Sequence, residues 1–166
     1  MMSYKLLFAY FCLIPLMLLD AHLSLVMRYL FGFKIEMVSF LMLIFFFHLA
    51  WKSNRVCSVI FSIFYGILYD SYYLNGMPNM LISLPLATCF AICLFGQMKK
   101  KASAFQKTLL FLIFLFQILG INFLIVGQYH SNQVALSFFI TYSLIPTLFL
   151  NLLFFVIITQ YFKRFF

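Results

Sequence analysis

Acidic side chains are almost missing from this chain. Asp20, Glu36 and Asp70 are the whole set in 166 residues, against eleven Lys and Arg. Charge of either sign is thin, at 8% of positions, while 66% are hydrophobic and Phe alone fills 25. A soluble domain of this length needs far more polar surface, so an integral membrane protein is expected. Long polar stretches are also lacking. Apolar runs recur with short breaks, which leaves no room for a globular domain on either side of a bilayer. A single membrane domain over residues 1–166 follows, and soluble catalytic or DNA-binding modules have no sequence to occupy.

Chemical motifs are absent too. No phosphate-binding glycine loop, nucleophile motif or zinc pattern occurs, which argues against an ATPase or a familiar protease. No enzyme activity, cofactor or metal is expected. Cys12, Cys57, Cys89 and Cys93 form no Cys-x-x-Cys and read as small apolar core residues. Lys5 followed by "LLFAYFCLIPLMLL" has the look of a secretory signal, but no small-x-small cleavage site follows it. An uncleaved first helix is the better reading.

What is present is a series of apolar runs. A helix needs about 20 residues to cross the hydrocarbon core. Six segments qualify: 6–27, 36–51, 56–74, 79–96, 108–126 and 134–160. The expected fold is an all-α bundle of six transmembrane helices. The second and fourth are short, and the last carries Pro146 near its centre, where a tilt or kink would absorb its length.

Basic residues set the expected orientation. With the N-terminus inside, the cytoplasmic set is Lys5, Lys52, Arg55, Lys99, Lys100, Lys101, Lys107, Lys163 and Arg164. The outer set is only Arg28 and Lys34. Nine against two is a strong positive-inside bias, so both termini should be cytoplasmic. The run "KKK" at 99–101 reads as topology plus attraction to anionic headgroups, and no nucleic-acid partner is expected.

Asp70 lies late in the third segment. A carboxylate at mid-bilayer costs about 2.5–3.5 kcal/mol on insertion scales, so it should face protein or a wet cavity. Ser58, Ser62, Gly66 and Asp70 recur every fourth residue, a stripe of small residues that lets a neighbouring backbone approach. This stripe is the candidate helix-packing or partner face. Asp20, late in the first segment, has a similar depth. With His22, Arg28, Asp70 and Asn75 it forms a candidate outer polar cluster. Three readings of that cluster stay open: a proton or cation site, a structural network, or a contact with a partner's membrane helix.

Beyond Asp70, Tyr72 and Tyr73 suit the headgroup region, Asn75-Gly76 signals a turn, and Pro78 can start the next helix. Pro85 should bend the fourth span slightly, freeing a carbonyl. Gln117, Asn122 and Asn151 are candidates for hydrogen bonds across helices. His48 beside Trp51 reads as an interfacial anchor, and His130 lies in an outer loop without obvious partners.

These residues resemble a family. A first span with a late acid, "LMLLDAHLS", is followed by a third span ending in "GILYD", then tyrosines, an "NG" turn and the proline-bearing fourth span. A lysine-rich loop, two further spans and a basic tail complete the pattern. The whole resembles the rod shape-determining protein MreD family, in its Gram-positive version. Gly66 and Asp70 are positions that match the family's pattern, which carries no catalytic residues.

The resemblance implies a scaffold of the cell-wall elongation machinery in the bacterial cytoplasmic membrane. Its partners would be the bitopic protein MreC and the enzymes of peptidoglycan synthesis, besides the lipid bilayer, with no small-molecule ligand. The family is also similar in fold to the substrate-binding subunits of energy-coupling-factor transporters. A vitamin-binding transporter subunit is therefore the alternative.

Overall fold

The apolar runs become helices in a computed structural model that describes residues 4–32, 34–73, 77–97, 103–129 and 136–165. In chain order these are α1 (Tyr4–Phe11), α2 (Leu13–Leu30), α3 (Leu41–Lys52), α4 (Arg55–Tyr73), α5 (Met80–Gln97), α6 (Ala104–Tyr129) and α7 (Leu136–Phe139). A π-helical turn, Ile140–Leu144, then leads into α8 (Ile145–Phe165). Among the described residues, four stretches are long and apolar enough to cross a bilayer: Leu6–Leu30, Arg55–Tyr73, Ala104–Ile125 and Leu136–Gln160. Leu41–Lys52 and Met80–Leu94 are apolar but shorter.

Prolines explain two departures from smooth helices. The first run, expected to be continuous over 6–27, breaks at Cys12 between α1 and α2. Pro15 has no N–H for the Phe11 carbonyl and its ring crowds that carbonyl, so the first helix ends there. α2 then continues to Leu30, where Gly32 at φ 59° stops it and donates its N–H to the Tyr29 carbonyl at 3.1 Å. A left-handed residue after the last turn is the common way for a helix to end. In the last run the disturbance sits just before Pro146, as the π-helical turn. Single π turns inside helices are a known source of kinks.

The second helix starts later than the hydropathy suggests. Residues 36–40 belong to the apolar run but are not helical, and α3 begins at Leu41. The reason lies in side chains that capture this backbone, described below.

Contacts divide the chain into two units, residues 1–11 with 47–133 and residues 12–46 with 134–166. In the first, α4 packs along α5 and α5 along α6. Phe47 sits edge-on to Phe111 with ring centroids 5.4 Å apart, and Tyr10 stacks on Phe61 at 4.0 Å. The buried Tyr65 hydroxyl donates to the Tyr10 carbonyl, so a polar tip inside apolar surroundings finds an acceptor. In the second unit Leu13, Met17 and Asp20 of α2 are buried, as are Leu144 and, on α8, Thr147, Asn151 and Phe155. Thr147, Asn151 and Phe155 are four residues apart and share one helix face.

Candidate functional site

The α4 face of Ser58, Ser62, Gly66 and Asp70 is buried along its whole length, together with Tyr65. Ser62 turns its hydroxyl back onto the Val59 carbonyl of its own helix, while Ser58 donates to the Asn54 carbonyl just before the helix and pairs with Ser53 Oγ at 2.5 Å. The far end of the face meets α5. At Gly66 the fit is tightest, since a Cβ there would stand 2.7 Å from the Leu81 Cα and 2.8 Å from the Met80 carbonyl oxygen. Only a residue without a side chain allows α5 to start so close.

One turn further on, Asp70 meets that same helix start. Its two oxygens accept the Met80 and Leu81 N–H groups, each at 2.8 Å. The first N–H groups of a helix have no partner within it and carry the positive end of its dipole. A carboxylate on the neighbouring helix satisfies both needs. The acid in the apolar run is therefore a cap supplied from outside the helix it caps.

Asp20 does the same for α3. Oδ1 accepts the Leu41 N–H and the Ser39 hydroxyl, each at 2.7 Å, and Oδ2 accepts the Met42 N–H at 2.8 Å. The non-helical residues before it are held from two sides. On one side, Glu36 donates its N–H to the Tyr142 carbonyl at 2.9 Å, and Val38 donates to Thr147 Oγ1 at 3.2 Å. Thr147 Oγ1 donates in turn to the Glu36 carbonyl at 3.3 Å. Asn151 accepts the Phe40 N–H at 2.8 Å and donates to the Val38 carbonyl at 2.7 Å. On the other side, Ser39 donates its N–H to Ser24 Oγ at 2.9 Å.

Alternation of this kind belongs to extended chain, whose successive residues face opposite ways. Non-helical backbone at membrane depth is tolerated where protein groups satisfy it. The Tyr142 carbonyl is free to accept because its ordinary helical partner would be the N–H of residue 146, and Pro146 has none.

Arg28 forms an ion pair with Glu36 at 3.3 Å, both side chains about half exposed. His22 is exposed. Asn75, His130 and the lysines at 99–101 lie outside the described residues. Asp20 and Asp70 each bond within their own unit. Asn151 proves to be the central polar side chain of α8. Asn122 donates to the Met80 sulfur at 3.7 Å, whereas the side-chain amide oxygens of Asn122, Gln117 and Asn79 are buried without a partner among the described residues. Lys107 lies 5.2 Å from the centroid of the Trp51 ring, within cation–π range. The four cysteines are free but are not the core residues expected: Cys12, Cys89 and Cys93 are exposed and Cys57 is half-buried, since the outer face of an apolar bundle suits a small apolar side chain as well as its interior does.

Sequence reasoning placed Ser24 only as a neighbour of Asp20, and missed Ser39, Tyr142 and Thr147. The one signal pointing to them was Pro146, which marks a carbonyl in need of a donor. A cavity of about 270 Å³ opens beside the extended segment, lined by Ser24, Leu25, Arg28, Glu36, Met37 and Val38.

No protein-family model matches the chain, and neither does any curated protein or solved structure.

Proposed function

We propose that the chain is a non-catalytic membrane scaffold of bacterial cell-wall elongation, of the kind its resemblance to the MreD family implies. It crosses the cytoplasmic membrane six times, with both ends on the cytoplasmic side. It binds a single-span partner of the MreC type and helps position peptidoglycan-synthesising enzymes. The observation that supports this reading is the use made of the two interior acids. Asp20 and Asp70 each devote both carboxylate oxygens to the start of a short apolar helix. Groups committed to holding backbone in place suit a rigid docking body. A ligand site needs side chains that converge on a pocket with bonding capacity to spare.

Extraction of the tagged protein in a mild detergent, followed by identification of what accompanies it, tests the proposal. A single-span protein with a coiled-coil segment is the expected companion. An energising module with ATPase subunits in its place would overturn the scaffold and favour the vitamin-transporter alternative.

A further inference from the structure

Among the backbone N–H groups of residues 36–40, one has no partner among the described residues. Glu36, Val38, Ser39 and Phe40 all place their N–H groups on partners. Met37 between them places neither its N–H nor its carbonyl on any described residue. By the alternation of extended chain, Met37 faces the same way as Ser39, toward the side that carries Ser24. That is where the 270 Å³ cavity lies, with Ser24, Leu25 and Arg28 along one wall and Glu36, Met37 and Val38 along the other. One donor and one acceptor thus look into a gap, between N–H groups that all have partners.

We infer that this open edge is a docking site for an extended stretch of a partner protein's backbone, which pairs with Met37 by strand addition. The inference rests on the scaffold reading and names where on the scaffold a partner is held. Three features select a peptide. An N–H and a C=O on one residue are matched by the C=O and N–H of one residue of a facing strand, which is how extended peptides add to a free edge. Acyl tails offer neither group, and unpaired backbone is costly wherever lipid replaces water. The ion pair of Arg28 and Glu36 leaves the wall without net charge, which suits a neutral amide better than a phosphate headgroup. The volume also fits. It falls just below the roughly 300–1,000 Å³ of drug-sized sites, room for a short piece of chain.

The test uses the full-length protein in lipid nanodiscs with the single-span partner recovered by co-purification. Amide hydrogen exchange is followed for Met37, and affinity is measured for Met37→Pro and Met37→Ala. Proline removes the N–H at a position where no internal hydrogen bond is lost, and alanine removes only the side chain. Strand addition predicts that the Met37 amide exchanges at least about tenfold more slowly once partner is added. It also predicts that Met37→Pro binds about tenfold more weakly, while Met37→Ala binds like the parent.

Unchanged Met37 exchange in the bound complex overturns the inference and leaves the scaffold standing. So does exchange already slowed before partner is added, which would mean that the amide is bonded or shut off from solvent in the protein by itself. If Met37→Pro fails to fold, the exchange measurement on the parent protein still decides. Failure to recover any single-span partner counts against the scaffold itself and is seen at the earlier step.

Discussion

At the scale of single residues, the two buried aspartates are best understood by the donors they hold. Asp20 receives two backbone N–H groups and the Ser39 hydroxyl, and Asp70 receives two backbone N–H groups. Both are nearly inaccessible, at 6% and 3% exposure, so water does not replace a lost acceptor. A buried donor left without a partner costs about 1–3 kcal/mol. Asp20→Ala and Asp70→Ala should therefore each destabilise the protein by several kcal/mol, on the order of 2–5. Asp20→Ala should be the worse, because it strands three donors where Asp70→Ala strands two. The Asn variants should fall between, since an amide retains one acceptor oxygen but turns an N–H₂ toward another N–H. Thermal midpoints in one detergent check the ranking. Alanine variants as stable as the parent would remove the capping role from both acids.

At the scale of elements, the same device occurs twice. One helix carries an acid whose oxygens take the first N–H groups of the apolar helix that follows, α2 for α3 and α4 for α5. The α4 stripe could be read from the sequence because helical spacing is a local property. Ser58, Ser62, Gly66 and Asp70 fall on one face whatever the rest of the chain does. The start of α3 could not be read so. Met37, Val38 and Phe40 read as the front of the apolar run that becomes α3, and the side chain that accepts the Phe40 N–H, Asn151, lies 111 positions away. Pro146 located the disturbance in the last helix, but not that its freed carbonyl would hold Glu36. This suggests a direct check. Pro146→Ala restores an N–H that competes for the Tyr142 carbonyl, so the π turn should relax toward α-helix. The Glu36 amide should then exchange about tenfold faster, the loss of about one hydrogen bond. Unchanged exchange at Glu36 would mean that the proline does not create the acceptor.

At the scale of the whole molecule, the open question is how often the chain crosses the membrane, and the short helices decide it. The 12 residues of α3 rise only about 18 Å, well short of a hydrocarbon core of about 30 Å. Five extended residues ahead of it add about 17 Å. The combined segment is long enough, and the extended part is admissible because Asp20, Ser24, Thr147 and Asn151 serve its backbone. If it crosses, Lys34 and Asn54 lie on opposite sides of the membrane. If it does not, they lie on the same side, and the positive-inside count fails with it. Replacing Cys12, Cys57, Cys89 and Cys93 with alanine gives a background for single cysteines at these two exposed positions. A membrane-impermeant maleimide should label Lys34→Cys on intact cells stripped of their wall, and Asn54→Cys only after the membrane is opened. Labelling of both from outside, or of neither, would mean that residues 36–52 enter and leave by one face. In that case α3 is a re-entrant helix, and Asp20 anchors it within the membrane.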